Sequence, residues 1–274
     1  MTSLTYTVTD SATMLRRNLK HQLRYPSLTL MLAGMPIVFL LLFVYVFGGQ
    51  LGIGLAHSGG HSGGHSAGGR GAYLTYVVPG ILIITVASAA LGTAISVATD
   101  MTGGVIDRFR TMAISRGAVL TGHVLGSLLQ TLAVLVVVLG VSLAIGFRSH
   151  ASALDWLAAA GVLALFAFAL IWLSAALGLA AKSVETASNT PMFLTLLPFL
   201  SSAFVPTASM PPGLRQFAEY EPFTPVTQTV RGLLTGGPIA THAIPAIAWS
   251  LAIALGSYLW ALRLYNRRRA ATPS

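Results

Sequence analysis

The sequence has no cysteine and very little charge. Without cysteine among its 274 residues, disulfides, thiolate metal sites and thiol catalysis are excluded. Lysine, arginine, aspartate and glutamate make up 8% of the chain, against about 25% in a typical soluble domain. That is too little charge to cover a water-facing surface of this size. No Ser/His/Asp set, paired carboxylates or HExxH pattern sits in a plausible site. The phosphate-binding pattern G-x-x-x-x-G-K-[ST] is also missing; Lys182-Ser183 comes closest, but no glycine precedes the lysine. No nucleotide-hydrolysing motif is therefore legible in this chain.

What the chain does contain is hydrocarbon: 54% of it is apolar and its mean hydropathy is +0.76. The apolar residues gather into six runs, 28–47, 73–98, 119–147, 156–181, 188–205 and 244–264. Each is long enough to cross a hydrocarbon core, which takes about 20 residues. Pro191 and Pro198 interrupt the fifth run and leave its ends and straightness open. The pattern predicts an all-α polytopic membrane protein with six transmembrane helices in one domain, 1–274. The first run exceeds the roughly 7–15 apolar residues of a cleavable signal, so it is expected to remain a span.

The basic residues predict an orientation. Arg16, Arg17, Lys20 and Arg24 precede span one, Arg108, Arg110 and Arg116 separate spans two and three, Lys182 follows span four, and Arg263, Arg267, Arg268 and Arg269 lie at the far end. These are twelve of the sixteen; Arg70, Arg148, Arg215 and Arg231 fall on the other side. The richer side is cytoplasmic by the positive-inside rule, so both termini of this multi-pass chain are expected on the cytoplasmic face of the inner membrane. Topology thus explains the net charge of +9. Nucleic acid is not an expected partner, because no basic patch is interleaved with aromatics on a soluble domain.

The spans hold almost no ionisable groups; His123 and Arg263 lie close to the predicted cytoplasmic face. Ion- and proton-coupled carriers place such groups at mid-membrane depth. Their scarcity argues against that class and suits an apolar or amphipathic cargo. No pair of Gly/Pro-broken spans marks an inverted-repeat carrier.

Three segments outside the spans stand out. Residues 11–26 repeat Leu15, Leu19 and Leu23 on one face, with Arg16 and Arg24 on others. That pattern fits an amphipathic helix along the inner leaflet among membrane lipids, or a helix packed on a partner. The outer loop 48–72 is rich in glycine and histidine, reading as a flexible linker. His57, His61 and His65 recur every four residues, a spacing that suits a zinc or copper site on a helix, though the Gly-Gly pairs disfavour that helix. The cytoplasmic segment 100–118 carries a charged turn, Asp107-Arg108-Phe109-Arg110, followed by Met112, Ser115 and Arg116. Phe109 and Met112 share a face and can anchor a short helix in a partner's groove; equally, the segment is a connecting loop whose arginines serve topology.

The run G-G-V-I-D-R-F-R-T-M-A-I-S-R-G-A-V-L-T-G resembles the signature of type-2 ABC exporter permeases, in particular the daunorubicin-resistance branch. Ala113 stands where that branch often has proline, and Arg24-Tyr25-Pro26 resembles the turn before its first span. A second block, F-V-P-T-A-S-M-P-P-G-L-R-Q-F-A-E-Y-E-P-F-T-P-V-T-Q-T-V-R-G-L-L, resembles the family's outer segment between spans five and six. Here Glu221-Pro222 replaces the usual Asn-Pro. This segment reads as short amphipathic helices broken by Pro206, Pro211, Pro212, Pro222 and Pro225 and ending near Arg231. It either dips into the outer leaflet and returns or caps the bundle from outside.

The resemblance implies the permease subunit of an ATP-driven exporter of drugs, antibiotics, lipids or glycolipids. It implies a second permease copy or homologue, and a separate ABC ATPase subunit that holds ATP and Mg. The Asp107–Ser115 segment would then be the coupling helix. The alternative is a non-transporting six-span scaffold or assembly factor. A co-purifying ATPase stimulated by this chain would separate the two.

Overall fold

The computed structural model describes residues 26–58, 69–102, 116–181 and 183–270. Among these, all regular structure is helical. Helix α1 (Pro26–Leu41) passes through a π-helical turn (Leu42–Phe47) into α2 (Gly48–Ser58). Then follow α3 (Arg70–Thr102), α4 (Arg116–Ile145), α5 (Ala153–Ala180), α6 (Val184–Asn189), α7 (Met192–Leu196), α8 (Pro212–Tyr220), α9 (Phe223–Thr235) and α10 (Ala240–Ala270). Single 3₁₀ turns cover Leu197–Leu200 and Thr207–Ser209.

Five stretches are continuous helix, long and apolar enough to span a bilayer: Leu32–Ile53, Arg70–Thr99, Thr121–Ile145, Ala153–Ala180 and Ala240–Leu264. The first runs past its predicted boundary, because Leu51 and Ile53 continue the apolar pattern and Gly48–Ser58 stays helical inside the expected outer loop. The fifth predicted run, 188–205, is not one continuous helix but a chain of short pieces, α6, α7 and the 3₁₀ turn. The cause is Pro191 and Pro198, each lacking the N–H that an uninterrupted helix needs.

Helices α3 and α5 form the core. Two-thirds of their most apolar stretch is buried, whereas the first helix, α4 and α10 bury about a quarter. Those outer helices present Met35, Val46, Val136, Leu255 and Leu259 to their surroundings, the apolar exterior expected of a multi-pass membrane protein. Small residues let the central pair touch backbone to backbone: a Cβ added at Gly178 of α5 would lie 2.5 Å from the Ala94 carbonyl of α3. Such small-residue contacts drive helix association where lipid supplies no hydrophobic force.

The broken segment packs along α3. A Cβ at Gly80 would stand 2.5 Å from the Ala203 carbonyl. Aromatic rings tie the segment to the first helix as well: Phe43 stacks on Phe204 at 4.5 Å, Phe204 on Phe199 at 4.9 Å, and Phe39 meets Phe199 edge-on at 5.7 Å. Helices α8 and α9 then form a hairpin. The bundle thus has a hairpin end, where α3, α5 and α10 begin, and an opposite tail end, where α4 begins and α10 finishes.

Candidate functional site

Helix α9 enters the bundle obliquely. Its first residue, Phe223, meets Phe166 of α5 edge-on at 5.1 Å. Phe166 lies thirteen residues into α5, or about 20 Å from the hairpin end at 1.5 Å per residue. The last turn of α9 is back at that end, where the Ser149 hydroxyl donates to the Leu234 carbonyl at 2.7 Å. The helix thus begins deep and rises outward.

A buried helix start leaves backbone N–H groups without partners, and Glu221 supplies them. One carboxylate oxygen accepts from the Phe223 N–H at 2.9 Å and the other from the Thr224 N–H at 2.6 Å. Glu221 is only 6% exposed. Burial pushes its carboxyl up to about 7, while the two N–H donors pull the other way. The Glu–Pro sequence is thereby explained: the carboxylate takes the N–H bonds that a shorter Asn side chain would take at a helix start. Thr224 adds a second contact, its hydroxyl accepting the Ser202 N–H at 3.0 Å.

Arg231, two turns on, gathers the other strands of the site. Its Nε and Nη2 donate to the Tyr76 carbonyl at 3.2 and 3.1 Å. Nη2 also reaches the Ser202 and Ala203 carbonyls at 2.9 and 3.3 Å, and Nη1 reaches Gln228 Oε1 at 3.1 Å. The guanidinium lies 3.8 Å from the centroid of the Tyr76 ring, within cation–π range. The Tyr76 hydroxyl closes the set by donating to Ser202 at 3.0 Å. Carbonyls and a ring, rather than a carboxylate, therefore compensate this charge. Pro79, one turn along α3, has no N–H to donate to the carbonyl of Thr75, the residue next to Tyr76.

One side chain on α9 thus fastens α3 to the end of the broken segment. Remaining polar groups on α9 are satisfied within it: Thr227, Thr229 and Thr235 hydroxyls donate four residues back, to Phe223, Pro225 and Arg231. Helix α8, by contrast, is exposed except for Ala218, and its Arg215 pairs with Glu219 at 2.7 Å.

Of the residues expected from sequence, Glu221, Pro222 and Arg231 belong to this site, with Pro222 immediately before α9. Pro206 and Pro211 lie outside it, starting the 3₁₀ turn and α8. Leu15, Arg16, Leu19, Leu23 and Arg24 fall outside the described residues, as do Asp107, Arg108, Phe109, Arg110, Met112 and Ser115. Arg116 opens α4. His57 falls in the last turn of α2, while His61 and His65 are outside the described residues; among the described residues no metal-holding group forms. Sequence reasoning missed Tyr76, Ser202 and Thr224. The available signal was Arg231 itself: an arginine in an apolar stretch must find acceptors.

A family model described as ABC-2 type transporter matches residues 10–235. Over 203 residues the chain is 32% identical to "Daunorubicin resistance ABC transporter permease protein DrrB1" of Streptomyces coeruleorubidus, covering 74% of this chain and 66% of that protein. Over 177 residues it is 22% identical to "Probable doxorubicin resistance ABC transporter permease protein DrrC" of Mycobacterium tuberculosis, covering 65% of this chain and 64% of that one. The match therefore spans just under two-thirds of the length of these relatives.

Proposed function

Because this chain belongs to the ABC-2 type transporter family, we propose that it is the membrane permease subunit of an ATP-driven exporter that moves hydrophobic or amphipathic drugs or antibiotics out across the cytoplasmic membrane. The family match over most of the chain carries this reading. The relatives' names refer to daunorubicin and doxorubicin resistance, and spans poor in charge suit amphipathic cargo of that kind.

Two permeases, identical or homologous, enclose the pathway, and separate ATPase subunits bind ATP and Mg and supply the work. The chain crosses six times with both termini in the cytoplasm; besides the five continuous helices, the fifth crossing in chain order is the broken segment from Val184 to Leu200. Its length supports this, since its seventeen residues, fifteen of them helical, extend about 25 Å. The hairpin of α8 and α9 dips into the outer leaflet, a placement supported by the satisfied backbone of α9. Residues 11–26 lie along the inner leaflet, and Asp107–Ser115 engages the ATPase.

The test is reconstitution. Co-expressed with an ABC ATPase subunit from the same organism, the chain is expected to co-purify with that ATPase and stimulate its hydrolysis. Inverted vesicles holding both are expected to accumulate a fluorescent amphipathic drug when ATP is added. A well-folded complex that hydrolyses ATP yet accumulates no amphipathic compound would refute the cargo class; failure to bind any ATPase would refute the subunit assignment.

A further inference from the structure

Away from the Arg231 cluster, α4 and α5 part to leave a cleft of about 130 Å³. Leu82 of α3 forms its floor, Leu135 and Leu163 line its walls, and Leu234 of α9 closes it toward the hairpin end. Its mouth opens sideways past Val136, which is 69% exposed, and Ala160. The cleft has room for several waters, each taking about 30 Å³ of the liquid, yet its apolar walls offer almost none of the polar partners that water needs.

We propose that this cleft holds an acyl chain of a phospholipid from the leaflet at the hairpin end. This rests on reading the long helices as membrane-spanning. Three observations favour a phospholipid. The opening faces sideways, where a bilayer presents hydrocarbon. Trp156 lines the cleft in the first turn of α5, the level at which tryptophan marks a membrane interface. The 146–152 connector, tied to Leu234 through Ser149, carries the exposed Arg148, which can pair with a lipid phosphate. Asp155, the acidic group on this rim, already accepts from the Ser152 N–H and hydroxyl.

Brominated lipids quench nearby tryptophan and provide the test. The chain has four tryptophans. A variant keeping only Trp156, the others changed to Phe, is reconstituted into phosphatidylcholine vesicles with rising fractions of acyl-brominated phosphatidylcholine in both leaflets. Half-quenching of Trp156 is expected at no more than half the brominated fraction that a bulk-exposed tryptophan requires. Ala160→Phe, which plugs the mouth, is expected to return Trp156 to the bulk curve. A variant keeping only Trp249, 42% exposed on α10, is expected to follow the bulk curve; if it is not quenched, the membrane reading itself fails.

If the multiply substituted chain does not fold, native mass spectrometry of the otherwise unaltered protein takes its place. Ala160→Phe is then expected to remove one retained phospholipid, and Arg148→Ala to weaken its retention at least threefold. Bulk-like quenching of Trp156 unaffected by Ala160→Phe would overturn the proposal, as would lipid retention unchanged by either substitution. Early quenching that an amphipathic drug abolishes would overturn it too, making the cleft a cargo pocket.

Discussion

Arg231 and Tyr76 meet twice: the guanidinium lies 3.8 Å from the centre of the tyrosine ring and also donates two hydrogen bonds to the backbone carbonyl of the same residue. The two are 155 residues apart in sequence. The ring and the carbonyls of Tyr76, Ser202 and Ala203 share a charge that no carboxylate pairs with among the described residues.

Substitutions at this pair are expected to rank in a definite order. Tyr76→Phe removes only the bond to Ser202 and keeps the ring and carbonyl, so it should cost about 1 kcal/mol. Arg231→Met leaves several carbonyls unpaired and should cost roughly 2–4 kcal/mol. Arg231→Lys should fall between them, since an ammonium cannot reproduce the planar fork. Thermal unfolding in detergent reads stability, and drug accumulation in vesicles reads function. Equal losses from Tyr76→Phe and Arg231→Met would contradict the cluster's design.

Glu221 sets a pH dependence with a definite sign. Its folded value of about 7 stands above its ordinary 4.5, so the folded state holds the proton more tightly. The stabilisation is complete below about pH 4.5, declines as pH rises, and is gone above about pH 7. Its size is on the order of 3 kcal/mol. The unfolding temperature of the wild type, measured relative to Glu221→Gln, should therefore fall by several degrees between roughly pH 5 and pH 8. Parallel pH profiles would show that the carboxyl does not titrate in this range.

The backbone contact between α3 and α5 makes a sharper steric prediction. Gly178→Ala places a methyl 2.5 Å from the Ala94 carbonyl, and the resulting overpacking should cost roughly 1–3 kcal/mol. Gly140→Ala on α4 is the control: its added Cβ meets nothing within 4 Å, and removing a mid-helix glycine should stabilise by about 0.5–1 kcal/mol. Unfolding temperatures of both purified variants decide it; a tolerated Gly178→Ala would contradict this packing.

Coupling to the ATPase is tested at Phe109, whose role rests on the proposed function. Phe109→Ala leaves the basic-residue distribution untouched, so topology should survive. Loss of a buried anchor should weaken ATPase binding or its stimulation by at least tenfold. A well-inserted Phe109→Ala protein with wild-type binding and stimulated hydrolysis would rule this segment out as the coupling element.

The five continuous helices were legible because uninterrupted apolar runs of that length have few other uses. The broken segment was harder to read: its hydropathy matched a span, but Pro191 and Pro198 broke the hydrogen-bond ladder, and hydropathy does not record ladders. Glu221 was visible as a departure from the family pattern; its burial was not, since that depends on where Phe223 meets Phe166. Arg231 entered the sequence reading as an outer positive charge at the end of the segment between spans five and six, without a partner. Its acceptors are backbone carbonyls, which every residue carries, so no motif announces them. The loop expectation for Gly48–Ser58 gave too much weight to glycine, whose helical cost of about 1 kcal/mol the neighbouring apolar residues outweigh.

The contact between Gly80 and Ala203 has a mechanical consequence. Because the glycine has no side chain, backbone lies against backbone there, and the Ala203 methyl sits in the notch, 2.9 Å from where a Cβ at position 80 would stand. A methyl seated in a notch resists lengthwise sliding as well as separation, much as a dowel does. The same end is held by the bonds from Tyr76 and Arg231 to Ser202 and Ala203 and by the Phe199 and Phe204 rings against the first helix. Breaking those bonds alone would therefore leave the broken segment keyed to α3, and moving its end would require α3 or the first helix to move with it.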